Sequence, residues 1–236
     1  MEEEIDWDEE ADNWTRWART PGHDAYWQYR DDFFDQIVPG PGRCTVEVGC
    51  GEGRVARDLQ KRGHRVVAVD RSRRLLHYAK DADPNGAYLL ANAAGLPLAD
   101  ASCDLVVSYN TLMDVADMPT TVREAARVLE PAGRMSVCVT HPLSNAGNFL
   151  SLESGSAFHI TGSYFGRRRF EETFERDGHI MTFRGWSVAL EDYMRAFEGA
   201  GLFVEALREP LPAATSSRFA PWHRIPMFLT MRLVKS

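Results

Sequence analysis

No run of 18 apolar residues occurs anywhere in the 236-residue sequence, so no helix is expected to span a membrane. Cysteine is scarce. The four present, Cys44, Cys50, Cys103 and Cys138, form no C-x-x-C pair and lack zinc-finger spacing. They sit in or beside apolar runs, where cysteine acts as a small hydrophobe. No structural metal is expected, and the setting is read as a reducing cytoplasm. A basic excess is missing too. Asp and Glu number 34 against 27 Lys and Arg, a formal charge of −7. A surface of that sign repels phosphate backbones, which argues against duplex binding. The first residues, Met1 to Asp6, show neither the basic nor the apolar region of a signal peptide. Hydrophobic residues at 44% and charged residues at 26% exclude wholesale disorder and a fibrous fold. The length suits a single domain over 1–236, or one domain with a lid.

What is there begins with tryptophan. Residues 1–20 are acidic but carry Trp7, Trp14 and Trp17, an unusual content for a disordered tail. A short helix is expected there, broken by Pro21-Gly22, and a second over 23–38 with Tyr26, Trp27, Phe33, Phe34 and Ile37 on one face. Pro39-Gly40-Pro41-Gly42 stops it. Short apolar runs then alternate with helical segments. Strands are read at 45–48, 66–69, 87–90, 104–108 and 135–139, and helices at 53–62, 72–80 and 119–129. Pro131-Ala132-Gly133 reads as a turn. Continuous apolar strands alternating with helices indicate a parallel sheet covered on both faces. Residues 143–186 break the rhythm with Gly, Ser and Arg, and with a hairpin around Asp177-Gly178. A helix over 188–199 capped by Ser187, then strands at 202–207 and 227–234, close the chain.

The strongest local signal is Glu47-Val48-Gly49-Cys50-Gly51-Glu52-Gly53, between the first strand and a helix. Glycines there permit positive φ and a close backbone approach to a ligand at the helix amide end. Asp70 ends the second strand 17 residues after Gly53. A carboxylate at that place can accept both hydroxyls of a ribose. Together they indicate an adenosine-containing cofactor. A dinucleotide loop would carry its third glycine at position 54, where Arg54 stands. Glu47 and Glu52 also suit a cationic cofactor better than a pyrophosphate.

These residues resemble the class I S-adenosylmethionine-dependent methyltransferases, in the small-molecule group similar to the ubiquinone and menaquinone enzymes. Thr45 to Arg54 resembles the family's first motif and Val66 to Ser72 its second. Asn92 to Leu98 with Cys103 to Val106 resembles the third and fourth, and Ala126 to Gly133 the helix-turn before strand five. The resemblance implies a doubly wound, seven-stranded, mostly parallel α/β sheet with its last strand antiparallel. An N-terminal helical lid (1–38), a cofactor-binding half (43–140) and an acceptor-side insertion after strand five (143–186) complete it. It implies S-adenosylmethionine as cofactor. Gly49, Gly51 and Gly53 would line its methionine portion and ribose, and Glu47 its amino group. Asp70 would take the ribose, Arg71, Asn92 and Ala93 the adenine, and Tyr109 and Asn110 the methionine chain. Asparagine at 92 and Met113-Asp114, where the family frequently has aspartate and a His pair, depart from the pattern.

For the chemistry, His141 after strand five is the candidate base, since histidine titrates near neutrality. Tyr26, Trp27, Asp114, Tyr164, Phe165 and Trp186 are candidate acceptor-pocket residues, drawn from segments rich in aromatics that also include Trp14, Trp17 and Phe149. Arg167-Arg168-Arg169 reads as a solvated hairpin face or as a magnet for an anionic substrate group. The reading that follows is O-, N- or C-methylation of a small aromatic or heteroaromatic molecule such as an indole or phenol of specialised metabolism. The expected protein is a monomer or homodimer with no nucleic-acid or membrane partner. An RNA-base methyltransferase, a non-catalytic cofactor-binding regulator and a nicotinamide oxidoreductase are the alternatives.

Overall fold

The computed structural model describes residues 6–213 and 217–236. The first five residues of the expected N-terminal segment, and 214–216 of the proline-rich loop, lie outside these. The chain begins with helices α1 (Trp7–Arg19) and α2 (Tyr26–Asp32). Then β1 (Thr45–Val48), α3 (Arg54–Lys61), β2 (Val66–Asp70), α4 (Arg73–Ala82) and β3 (Ala87–Leu90) follow in strict alternation. β4 (Cys103–Tyr109), α5 (Met118–Val128) and β5 (Leu129–Thr140) complete the parallel half. Two ribbons, β6 (Gly147–Phe149) with β7 (Phe158–Ile160) and β8 (Arg168–Arg176) with β9 (His179–Ser187), precede α6 (Leu190–Gly199), β10 (Leu202–Arg208) and β11 (Phe228–Lys235).

The main sheet has seven strands in the order β10-β11-β5-β4-β1-β2-β3. All neighbours pair in parallel except β11, which runs antiparallel to both β5 and β10. That is the doubly wound sheet the sequence predicts. β1 lies at the centre with Val46 opposite Val67 of β2 and Val106 of β4, and all four of its residues are buried. Side chains of a strand alternate between faces. Leu105, Val107 and Tyr109 therefore pack with Tyr29, Phe33, Ile37 and Leu59, whereas Val106 packs with Val122, Val128 and Phe197 on the other side. Burial on both faces is why these strands read as unbroken apolar runs. The four cysteines are free, and Cys50, Cys103 and Cys138 are buried.

Several local expectations are corrected. The helix expected over 23–38 is shorter, because α2 widens after Asp32 into a π turn (Phe33–Ile37) closed by the Val38 N–H on the Phe33 carbonyl. Pro131-Ala132-Gly133 is not a turn before a strand. It belongs to a bulge inside β5, where Cys103 pairs with Leu129 and Leu105 already with Arg134, and Ala132 has φ of 61°. Ser187 caps no helix. It ends β9 opposite Arg168, and α6 starts at Leu190 after Ala189, which offers no side-chain cap. The 143–186 segment holds the short β6–β7 ribbon, which its sequence did not signal. Among the described residues no helix is long and apolar enough to cross a membrane.

α1 lies across the carboxyl edge of the sheet, held by polar contacts to α4. Ser72 caps α4 by accepting the Leu75 N–H at 3.0 Å, and its hydroxyl donates to the Asp8 carboxylate. Arg74 and Tyr78 reach Asp12 at 2.7 and 2.8 Å, and Arg19 donates to Glu52 at 2.8 Å. Ser72→Ala removes both the cap and the α1 anchor. We expect it to cost about 1–2 kcal/mol in urea unfolding, a cap alone being worth about 1. A loss below a few tenths of a kcal/mol would show that α1 does not depend on this contact.

Candidate functional site

A cavity of about 990 Å³ opens at the carboxyl ends of β1, β2, β4 and β5. This is where open α/β sheets bind ligands, and the volume stands at the upper end for small-molecule sites. The turn after β1 forms its floor. Gly49, Gly51 and Gly53 have φ of 74°, 54° and 81°. The Gly49 and Cys50 N–H groups both donate to the Val69 carbonyl, at 2.8 and 3.0 Å. A Cβ at Gly49 would overlap the Thr111 side chain. Only glycine meets both demands there, a left-handed backbone and a filled neighbourhood.

Carboxylates crowd this floor. The buried Asp70 accepts the Gly51 N–H at 2.7 Å and the Ser72 N–H at 2.8 Å. Burial nevertheless pushes its carboxyl up, against the pull of those backbone donors. Glu47 is 1% exposed, and its Oε2 has no hydrogen-bond partner. Burial first, and the neighbouring Asp70 second, hold its carboxyl well above the usual range. Asp114, also on the cavity wall, is driven the same way by burial and then by Asp70. Glu52 differs. It is ion-paired to Arg57 at 2.9 Å and Arg19 at 2.8 Å.

The roof comes from elsewhere. Trp7, Trp14 and Trp17 of α1 and the connection at His23–Ala25 face the cavity. So does one face of β8, through Arg168, Phe170, Glu172, Phe174 and Arg176. These are alternate residues of one strand, as the two-residue period requires. Phe183 of β9 packs edge-on against Trp14 and Trp17, with centroids 6.1 and 5.9 Å away. The ribbon's turn, Asp177-Gly178, has φ of 49° and 74° and joins Arg176 to His179. Asp177 bonds His23 at 2.9 Å, which ties the ribbon tip to the α1–α2 connection.

Of the residues anticipated for the cofactor, Glu47, Gly49, Gly51, Asp70, Arg71, Asn92, Ala93, Tyr109 and Asn110 line this one cavity. Gly53 does not; it starts α3 in a left-handed conformation. Of the anticipated acceptor residues only Asp114 lines it. Tyr26 is buried and donates to Asp58 at 2.7 Å. Trp27 donates to the Ala18 carbonyl at 3.3 Å beneath Arg30. Trp186 is buried in the core under Arg167, Tyr164 accepts the Leu190 N–H at 3.4 Å, and Phe165 is exposed. His141 is not on the cavity wall either. Its Nε2 lies 3.1 Å from Glu209 and its Nδ1 accepts the Leu143 N–H at 3.1 Å, so the ring braces two loops. Burial lowers its pKa, with Glu209 opposing. The sequence reading missed the β8 face. Its signal was the alternation Arg168, Phe170, Glu172, Phe174, Arg176.

The groups present fit a cationic cofactor with a ribose. Buried carboxylates with no ion-pair partner among the described residues, beside glycines that admit a ligand to the backbone, are the chemistry such a molecule complements. Glu47 offers a direct measurement. Its folded pKa is raised, so its ionisation costs stability only above the unfolded value near 4.5, and the cost grows as pH rises toward the folded value. We expect Glu47→Gln to stabilise the ligand-free protein by roughly 1–3 kcal/mol at pH 8 and by little at pH 4.5, in urea unfolding at both. A gain equal at the two pH values, or a loss at pH 8, would contradict this electrostatic picture.

Comparison with known proteins agrees with the geometry. A family model described as a methyltransferase domain matches residues 46–137. A "Probable S-adenosylmethionine-dependent methyltransferase" of Mycobacterium tuberculosis is 35% identical over 117 residues, 48% of this chain and 42% of that protein. The malonyl-[acyl-carrier protein] O-methyltransferase of Erwinia pyrifoliae is 32% identical over 108 residues, 46% of this chain and 41% of that protein. The chain thus spans less than half the length of these curated relatives. The crystal structure of an S-adenosylmethionine-dependent methyltransferase from Mesorhizobium loti superposes with a TM-score of 0.70 at 22% identity, over 90% of this chain and 98% of that one. Residues 46–137 thus match a methyltransferase-domain family, and the strand order and glycine turn agree with the fold of the S-adenosylmethionine-dependent methyltransferases.

Proposed function

We propose that this protein transfers a methyl group from S-adenosylmethionine to a small aromatic or heteroaromatic acceptor. The observation that carries this reading is a single cavity of about 990 Å³ with a glycine-and-carboxylate floor and an aromatic roof. When bound, the cofactor supplies an electrophilic methyl group on a sulfonium. Asp70 holds the ribose hydroxyls, and Glu47 meets the amino group. Arg71, Asn92 and Ala93 border the adenine. The Asn92 Oδ1 already accepts the Ala94 N–H at 2.9 Å, and a carbonyl oxygen keeps a second lone pair for the adenine amino group. Tyr109 and Asn110 flank the methionine chain.

On the acceptor side, Phe170, Phe174 and Phe183 of the ribbon and Trp17 of α1 form apolar walls that suit a flat molecule. Orienting such a molecule against the methyl group can account for much of the barrier, on the order of 7–11 kcal/mol in favourable cases. Where a proton must leave the acceptor, Asp114 replaces His141 as the base. Its carboxylate lies on the cavity wall, and burial together with Asp70 raises its proton affinity above that of an ordinary carboxylate, the direction a general base needs. α1 and the connection after it act as a cover, since Trp14 lies against Gly51 of the cofactor turn.

Isothermal titration with S-adenosylmethionine and S-adenosylhomocysteine tests the cofactor half. We expect micromolar binding of both, and a loss of roughly ten- to a hundredfold in Asp70→Ala, the scale for hydrogen bonds to a charged group. No binding by the unmodified protein would end the reading. Once an acceptor is found among indoles and phenols, Asp114→Asn should lower kcat by about a hundredfold or more while changing cofactor affinity less than about tenfold. Full turnover would remove Asp114 as the base.

A further inference from the structure

Two cationic side chains on the roof have no ion-pair partner among the described residues. Arg176, the last residue of β8, and Arg218, in the short helical turn after the proline-rich loop, both line the cavity. Both donate to the same acceptor, the His23 carbonyl, Arg218 at 2.7 Å, and Arg218 also reaches the Gly22 carbonyl at 2.5 Å. Sharing one oxygen brings the two guanidinium groups side by side. No carboxylate among the described residues stands within ion-pair distance of either. The Asp24 charge acts favourably on both arginines, but from beyond ion-pair distance, and its Oδ1 accepts the Tyr26 N–H at 2.6 Å and faces Arg54 at 3.4 Å.

Among the described residues most donors of this pair are unused. Each guanidinium carries five N–H groups. Backbone carbonyls take one from Arg176 and two from Arg218. Aromatic faces support the planes, Trp17 and Phe174 at 4.6 and 5.5 Å from Arg176, and Phe219 at 4.9 Å from Arg218. Burial lowers the affinity of Arg176 for its proton to a pKa of about 10, and Arg218 contributes to the same shift. Two like charges, partly desolvated and adjacent, repel each other, and Asp24 offsets this only from a distance, so an anion held in direct contact is favoured. The chain's formal charge of −7 makes a local cationic pair more telling.

We infer that Arg176 and Arg218 form an oxyanion site for the methyl acceptor, which therefore carries a carboxylate or phosphate on an aromatic body. The inference rests on the proposed methyltransferase reading of the cavity and narrows its substrate class. The anion sits in the guanidinium forks, where bidentate N–H geometry matches either group. The ring lies along Trp17 and Phe174. Its reacting atom then points away from the roof toward Asp114 and the carboxylate floor. For the cofactor's own carboxylate, Arg54 is the cation next to the glycine turn, its guanidinium 4.8 Å over Trp14, the residue against Gly51.

The test is isothermal titration of the full chain with benzoate, phenyl phosphate and benzyl alcohol, with and without saturating S-adenosylhomocysteine. At least one of the two anions should bind about tenfold or more tightly than benzyl alcohol, the scale of one charge-assisted hydrogen bond. A preference for benzoate identifies a carboxylate acceptor, and a preference for phenyl phosphate a phosphate. Arg176→Gln and Arg218→Gln should each weaken that anion about tenfold and leave benzyl alcohol and S-adenosylhomocysteine within about threefold. Arg218→Gln lies outside the β8–β9 ribbon and serves alone if Arg176→Gln unfolds. The inference is overturned if neither anion outbinds benzyl alcohol. It is also overturned if the variants weaken S-adenosylhomocysteine as much as the anion, which would assign the pair to the cofactor. Failure of S-adenosylhomocysteine to bind the unmodified protein would instead sink the methyltransferase reading, while the titrations without it still report on the arginine pair.

Discussion

Carboxylates gathered at one edge of a sheet are the constraint around which this molecule is arranged. Glu47, Asp70 and Asp114 share a cavity, burial raises the cost of ionising each, Asp70 adds to that cost for the other two, and no lysine or arginine is ion-paired to any of them among the described residues. Such a cluster destabilises an empty site. It becomes favourable when a cation and hydroxyl donors arrive, so binding energy for the cofactor is stored in the free protein's electrostatics. The backbone makes the cluster possible. Gly51 and Ser72 turn their N–H groups onto Asp70, and the left-handed turn between β1 and α3 can form only with glycine at position 49.

The same edge governs the N-terminal helix. Glu52 is neutralised by Arg57 from α3 and Arg19 from α1, so an ion pair of the cofactor turn is also a tether of the roof. Asp8 and Asp12 extend that tether to α4. Surface ion pairs are individually weak. Here several converge on one helix, and aromatic packing by Trp14 and Trp17 on Phe183 adds to them. The roof is therefore coupled to the floor by contacts that any rearrangement of the cofactor turn would disturb.

How much of this was legible in the sequence follows from how local each feature is. The glycine turn and Asp70 read clearly, because their geometry depends on a few contiguous residues and a strand end. The alternation of β1 to β5 with helices read for the same reason, burial on both faces leaving unbroken apolar runs. The acceptor side did not read well. Aromatic content alone cannot separate Tyr26 and Trp186, which fill the core, from Trp17 and Phe174, which face the cavity. His141 stands at the right edge of the sheet, yet Glu209, distant in sequence, claims its ring. Arg176 and Arg218 meet over a carbonyl that neither is near in sequence. Only tertiary structure brings such groups together.

The β8–β9 ribbon is a sheet of its own, with no hydrogen-bonded neighbour in the seven-stranded sheet. Its odd-numbered residues, Arg169 to Glu175, stand off the cavity wall, while the even-numbered set furnishes part of its roof. A substitution at 168, 170, 172, 174 or 176 thus alters the chamber without touching the ladder of the main fold. The recognisable family region ends at residue 137, before the ribbon begins. Five alternate positions of one strand can thus reshape the chamber while the glycine turn and its carboxylates stay as they are.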